Sequence, residues 1–181
     1  MLKLCCDCIF GGNGAQNEVA YNPTTVNGTS QGTMWSGAQR ENEIALRLPR
    51  ALDIDDIIHV SGQLKSNPEK FCVALTSGNY DNIAAEVEAQ FSQEDKIILR
   101  TSVNGFIEEN DVERVKASDF FPSTDFSIRF VIKPQDESII DIYVGESALD
   151  SISLKHNMGQ ITHLTLSHDI RRVDELSFKF A

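Results

Sequence analysis

No run in this 181-residue chain is apolar for long enough to cross a membrane, and no stretch carries the pattern of a long amphipathic helix. Basic residues are scarce. Lys and Arg total 16 against 27 Asp and Glu, a net charge of −11. That balance argues against nucleic acid or an anionic membrane as a partner of the folded part, and it is ordinary for a soluble cytosolic protein. Four cysteines, at positions 5, 6, 8 and 72, make no disulfide framework. Cys72 lies on an apolar stretch and reads as a small buried hydrophobe. Tryptophan occurs once, as Trp35.

The first ten residues include Lys3 and several apolar side chains, but Asp7 interrupts them and the run is too short for a signal-peptide core. Without that signal, Asn27-Gly28-Thr29 is an unused glycosylation sequon. The expected location is cytoplasmic, with unconventional secretion or membrane association as further options. The crowded Cys5-Cys6-Asp7-Cys8 admits two readings. One is S-acylation of Cys5, Cys6 and Cys8, where two or three acyl chains would hold the protein on a membrane; the other is an unmodified end. A zinc site fits less well, because a fourth ligand and a workable spacing are missing. Residues 11 to about 43 are rich in Gly, Asn, Thr, Ser and Gln and nearly devoid of aliphatic residues, so residues 1–42 read as a flexible segment. Trp35 is its one candidate anchor.

From Asn42 onward the chain is a succession of short strands. Ile44, Leu46 and Leu48 alternate before Pro49. Ile58, Val60 and Leu64 mark the next strand, with Gly62 as a bend or bulge. Phe71, Val73 and Leu75 follow, then a turn cluster at residues 76–82. Val103-Asn104-Gly105 is another turn, and further strands run from Phe126 to Ile132 and from Ile139 to Val144. Shorter ones cover Ile152 to Leu154, Ile161 to Leu166 and Leu176 to Phe180. About ten strands without βαβ units predict an all-β fold, an antiparallel two-sheet sandwich or jelly roll over residues 43–181.

The most informative strand is Ile83 to Phe91. Ile83, Ala85, Val87, Ala89 and Phe91 alternate with Ala84, Glu86, Glu88 and Gln90, which predicts one face in a core and a row of long polar side chains on the other. The four histidines, His59, His156, His163 and His168, form no metal pattern. There is no Ser-His-Asp order, phosphate loop or redox cysteine pair, so no cofactor and no metal is expected.

The order of these pieces resembles a galectin carbohydrate-recognition domain, a concanavalin-like sandwich. Leu48-Pro49-Arg50-Ala51-Leu52 leading into Ile57 to Gly62 resembles its entry. Phe71 to Leu75, Ile140 to Gly145, Ile161 to Ile170 and Leu176 to Phe180 resemble later strands in order. The resemblance implies galactoside binding on a concave face, a family of non-enzymatic lectins, and a glycan or glycoprotein as partner. It also places the signature. His-x-Asn-Pro-Arg falls on Glu86, Glu88, Ala89 and Gln90; the next strand's Asn falls on Thr101. The Trp-Gly-x-Glu-x-Arg segment falls on Phe106, Ile107, Glu109 and Asp111. Both arginine positions are thus filled by Gln90 and Asp111, and up to four carboxylates (Glu86, Glu88, Glu109, Asp111) line one groove, which demands a cation or protons. A sugar contact left unmade costs about 1–3 kcal/mol, so altered or weakened galactoside specificity is expected.

Three other readings stand beside the lectin. The acidic concave face could bind a basic protein or peptide as a protein-interaction module. Glu86, Glu88 and Gln90 could be a solvated sheet face. Glu86-Val87-Glu88-Ala89-Gln90 also echoes the strand of jelly-roll glycoside hydrolases, whose retaining chemistry needs carboxyls about 5–5.5 Å apart, but Gln90 removes the acid/base, so no enzyme is expected. A homodimer through sheet edges and a membrane contact conditional on acylation complete the expected partners.

Overall fold

The computed structural model describes residues 2–5, 43–77, 81–92, 94–111, 115–133 and 139–181. Among the described residues, twelve strands make two antiparallel six-stranded sheets. The first sheet contains β1 (Leu2–Cys5), β3 (Ile57–Leu64), β8 (Asp125–Lys133), β9 (Ile139–Val144), β10 (Ser147–Ser153) and β12 (Ile170–Lys179). Their spatial order is β1-β12-β3-β8-β9-β10. The second contains β2 (Ile44–Arg47), β4 (Lys70–Thr76), β5 (Ile83–Gln90), β6 (Lys96–Val103), β7 (Phe106–Asp111) and β11 (His163–His168). Their order is β2-β11-β4-β5-β6-β7. The only α-helix among the described residues is the single turn α1 (Ala117–Phe120), between β7 and β8. An antiparallel two-sheet β-sandwich is the observed class.

Alternation decides where each strand sits. β3 and β9 bury every second residue, as period-two apolar sequences should. Ile58, Val60, Ile128, Phe130, Ile140 and Ile142 from the first sheet meet Val73, Leu75, Val87, Leu99, Leu164 and Leu166 from the second. At one end of this core, Phe71 packs edge-on to Phe121 at 5.0 Å between ring centroids and lies 5.5 Å from Phe126. Such aromatic pairs add about 0.5–1.5 kcal/mol beyond their buried area.

Two local expectations change. Gly62 lies in a regular stretch of β3, and the irregularity belongs to its partner β12, whose register shifts between Ile170 and Arg172 and again between Val173 and Glu175. A Cβ on Gly62 would lie 2.2 Å from the Arg172 carbonyl oxygen and 2.9 Å from the Phe126 ring, so glycine is there for close approach. The strict alternation of β5 also breaks at its start. The register jumps from Ile83 to Ala85 against β4 and from Ile83 to Glu86 against β6, so Ile83 opposes Thr76 and Ser102. Ala84 and Ala85 both join the core, and Ile83 turns to the other face.

The segment expected to be flexible begins with β1, which pairs with the edge of β12 from Leu2↔Phe178 to Cys5↔Glu175. Cys6, Cys8, Trp35 and the sequon lie outside the described residues.

Candidate functional site

The face of the second sheet turned away from the core collects the polar row of β5. Register places Lys70, Cys72 and Ala74 of β4 opposite Gln90, Glu88 and Glu86. On the other side of β5, Glu86 opposes Arg100 and Glu88 opposes Ile98. These residues alternate with Val73, Leu75, Val87, Ala89, Ile97 and Leu99, all of which belong to the core. The polar row is therefore set by strand parity, and its partners come from neighbouring strands.

Arg100 is the organising group. Its Nη1 donates to Glu86 Oε1 at 3.0 Å and to Glu88 Oε2 at 2.5 Å, and its Nη2 donates to Glu88 Oε1 at 3.3 Å. Gln90 Nε2 donates to Glu88 Oε1 at 2.5 Å, and the Cys72 thiol donates to Glu88 Oε2 at 3.4 Å. Lys70 Nζ lies 3.5 Å from Glu88 Oε2. Burial pushes the Glu88 carboxyl up, but hydrogen bonds from Arg100 and Gln90 and the charges of Arg100 and Lys70 outweigh it and hold the group down at about 2.

This geometry corrects three expectations. The row is not a solvated face, because Glu86 and Glu88 are only 0% and 3% exposed. The carboxylates do not lack a cation: Arg100 supplies it from β6, one residue before the signature position assigned to Thr101. Cys72 is buried as expected but faces this polar cluster and stands outside the core.

The remaining expected residues divide. Thr101, next to Arg100, has the parity of Ile97 and Leu99 and so sits on the core side of β6; Arg100 takes the position facing Glu86. Phe106 opposes Val103 and is 82% exposed, while Ile107 opposes Ser102 and is 60% exposed. Phe106 thus shares the side of Val103 and Thr101. Register brings Glu109 opposite Arg100 and Asp111 opposite Ile98. At the Ile83 end of the sheet, His156 Nε2 donates to the Ile83 carbonyl at 3.1 Å and Lys155 pairs with Glu108. Burial, then the Arg47 charge, lowers the His163 pKa at the β2 edge. Arg100 and Lys70 escaped the sequence reading. The signal available for Arg100 was its even spacing from Lys96 and Ile98, which puts it opposite the core residues Ile97 and Leu99.

Cys72, Glu86 and Glu88 each present a ligand atom, all within 4.8 Å of one another. Glu88, however, already accepts from Arg100, Gln90 and Cys72 with Lys70 close by, so a metal ion would have to displace the guanidinium. The same saturation removes Glu88 as a proton donor at neutral pH.

Among solved structures, galectin LEC-6 of Caenorhabditis elegans superposes with a TM-score of 0.61 at 14% identity, covering 77% of this chain and 91% of that one. Sheep galectin-11, solved in complex with glycerol, gives 0.61 at 12% identity over 78% of this chain and all of its own. CG-16, a homodimeric agglutinin from chicken liver, gives 0.57 at 15% identity over 76% and 99%. At these identities the likeness shows the fold. A search of curated protein sequences returned no match. The family model described as galactoside-binding lectin matches residues 43–178, well over half the chain. Fold and family are those of lectins, which are not enzymes, and the chain belongs to the galactoside-binding lectin family.

Proposed function

We propose that this protein is a carbohydrate-binding lectin whose galactoside specificity is altered or weakened. The observation that carries the reading is the cluster of Arg100 with Glu86 and Glu88, on the sheet face where the resemblance places the galectin signature. Glu86 and Glu88 replace its His and Asn, and Arg100 replaces the arginines missing from Gln90 and Asp111. The carboxylates fix the guanidinium in one geometry, so a sugar hydroxyl meets a preorganised donor. Glu86 and Glu88 differ from the His and Asn of the signature, and every contact of the usual galactoside left unmade costs about 1–3 kcal/mol.

A glycan array followed by calorimetry tests this with the wild type and an Arg100→Lys variant, which keeps the charge but loses the bidentate fork. The reading expects glycan binding by the wild type, with galactosides weak or displaced by another sugar class, and at least a tenfold loss in the variant. No glycan signal at millimolar concentration would remove it.

One observation favours the second reading, a protein-interaction module. Phe106 and Ile107 expose adjacent apolar side chains at the start of β7, the edge strand of the second sheet. Its acidic version is weaker, since the two described carboxylates at the centre are buried and held by Arg100. Partner capture lost in a Phe106→Ser, Ile107→Ser double variant, with the glycan array unchanged, would support that surface.

A further inference from the structure

We propose that the outer face of the second sheet is a docking surface for the chain's own residues 11–42, with Trp35 as the anchor, and that a ligand reaching Arg100 must displace them. The observation that carries this is burial on the side away from the core. In the first sheet, β3 and β9 bury every second residue and leave the outward residues half-exposed, as a face open to water should. In the second sheet, β4 and β5 bury nearly every residue, core-facing or not. Thr76, Ala74 and Cys72 of β4, Thr165 and Ser167 of β11 and Ile98 of β6 share the outward parity of Glu86 and Glu88 and are at most 8% exposed, with Ala74 at 0%.

Side chains this short do not hide one another. Ala74 sits between Thr165 and Glu86 in register, and Cys72 between Ser167 and Glu88. Arg100 binds Glu86 and Glu88 from the β6 side, which leaves the β11–β4 half of the face to another cover. All twelve described strands belong to the two sheets and α1 sends Ala117 into the core, so the described elements supply no third layer. Described loops meet this face at its ends, where His156 bonds to Ile83 and Asp169 to Lys70. The cover comes from outside the described residues.

Residues 11–42 have the reach and the chemistry. They lead into β2, the edge of this same sheet, and Trp35 lies nine residues before Ile44. Nine residues extend up to about 30 Å, while β5 lies three strand spacings from β2, about 14 Å. Their charged side chains are Glu18, Arg40 and Glu41, set among Asn, Gln, Thr, Ser and Gly. A mostly neutral, hydrogen-bonding segment suits a face whose central carboxylates are already paired with Arg100 and Lys70. The small residues Ala74, Cys72 and Ser167 leave room for one large ring, and Trp35 is the chain's single tryptophan. This docking is displaceable. The Thr76 and Ser167 hydroxyls are buried without a hydrogen-bond partner, which costs free energy, so a ligand that pairs them holds the face more firmly than the segment does. A ligand's apparent affinity then falls with the fraction of molecules whose face is free. The docking stands without the carbohydrate reading above; its effect on a glycan rests on that reading.

As the single tryptophan, Trp35 gives the test its signal. Acrylamide quenching of its fluorescence in the full chain is compared with that in a synthetic peptide of residues 11–42. The full chain should show a quenching constant at least about threefold lower, with emission shifted to the blue, because a docked indole is shielded from water. Ala74→Arg, which fills the docking surface, should restore the peptide's value. Ser61→Arg, on the outer face of the first sheet, should leave quenching low. Far-ultraviolet circular dichroism checks the sandwich, and if Ala74→Arg unfolds it, the milder Thr165→Gln takes its place with the same expectation. Peptide-like quenching in the wild type overturns the proposal. So does low quenching that a folded outer-face variant leaves unchanged, or release by Ser61→Arg alone. A glycan that binds the wild type should raise Trp35 quenching at saturation, and unchanged quenching overturns the displacement. If no glycan binds, the lectin reading fails, while the quenching comparison still decides the docking.

Discussion

At the residue scale, Glu88 and Arg100 show how a polar cluster can be both costly and required. The Glu88 carboxyl drops from an ordinary 4.5 to about 2 on folding. Its stabilising contribution is therefore complete above pH 4.5 and lost as the pH falls toward 2. The size of the drop corresponds to about 3 kcal/mol. Urea unfolding of wild type and Glu88→Gln at pH 6 and pH 3 checks this: the wild type should lose more stability on acidification than the variant, by about 2 kcal/mol, because pH 3 still lies above the folded-state value and part of the contribution remains. Parallel pH profiles would show that Glu88 does not drive the acid response. Removing Arg100 should hurt more than removing its partners. Arg100→Met leaves two carboxylates with almost no exposure and no guanidinium, a loss of about 3–5 kcal/mol. The triple variant Arg100→Met, Glu86→Gln, Glu88→Met removes the stranded charges as well, so its midpoint in thermal unfolding should lie above that of the single variant. A triple variant that melts lower would mean that the cluster stabilises the sheet by more than mutual compensation.

At the scale of the strand, Gly62 is the position where one added carbon should matter. The Arg172 carbonyl approaches to 2.2 Å of an added Cβ, and that oxygen is backbone, held in the bulged part of β12. Gly62→Ala should cost about 1–3 kcal/mol through a forced backbone shift, read as a lower denaturant midpoint at unchanged slope. A variant as stable as wild type would mean that the bulge yields freely. Gly62 also marks where legibility stops. Its importance could be read from a glycine inside an alternating strand, yet the partner responsible lies more than a hundred residues away. The same holds for the site. Strand-internal facts such as the apolar alternation of β3 and β9, the Asn104-Gly105 turn and the row of Glu86, Glu88 and Gln90 follow from local periodicity. Facts between strands do not, because a one-residue change of register exchanges the two faces. Placing the counterpart of the galectin Asn at Thr101 put it on the core side, one residue away from Arg100, the cation that answers the acidic row. The β5 bulge at Ala84 was hidden for a similar reason, since Ile83, Ala84 and Ala85 are all apolar and a slipped alternation leaves no mark in such a run.

At the scale of the molecule, the two sheets have little existence apart. The second sheet's inner face is covered by the first, and from β2 onward the chain moves from one sheet to the other between β2 and β3, β3 and β4, β7 and β8, β10 and β11, and β11 and β12. Each sheet consequently depends on strands that are distant in sequence, and neither can bury its apolar face alone. Unfolding should accordingly be one cooperative transition for residues 43–181. Phe71 is the sharpest probe of that coupling. It is fully buried on β4, directly behind the polar cluster, and touches Phe121 and Phe126, the second of which belongs to the first sheet. Phe71→Ala should cost about 3–5 kcal/mol. If the sandwich is one unit, far-ultraviolet circular dichroism and the near-ultraviolet aromatic signal should shift together to the lower midpoint, and calorimetric and van't Hoff enthalpies should agree. Two separated transitions would show that the sheet carrying Arg100 melts on its own. The fixed geometry of the cluster would then rest on its own strands and owe nothing to the sheet behind it.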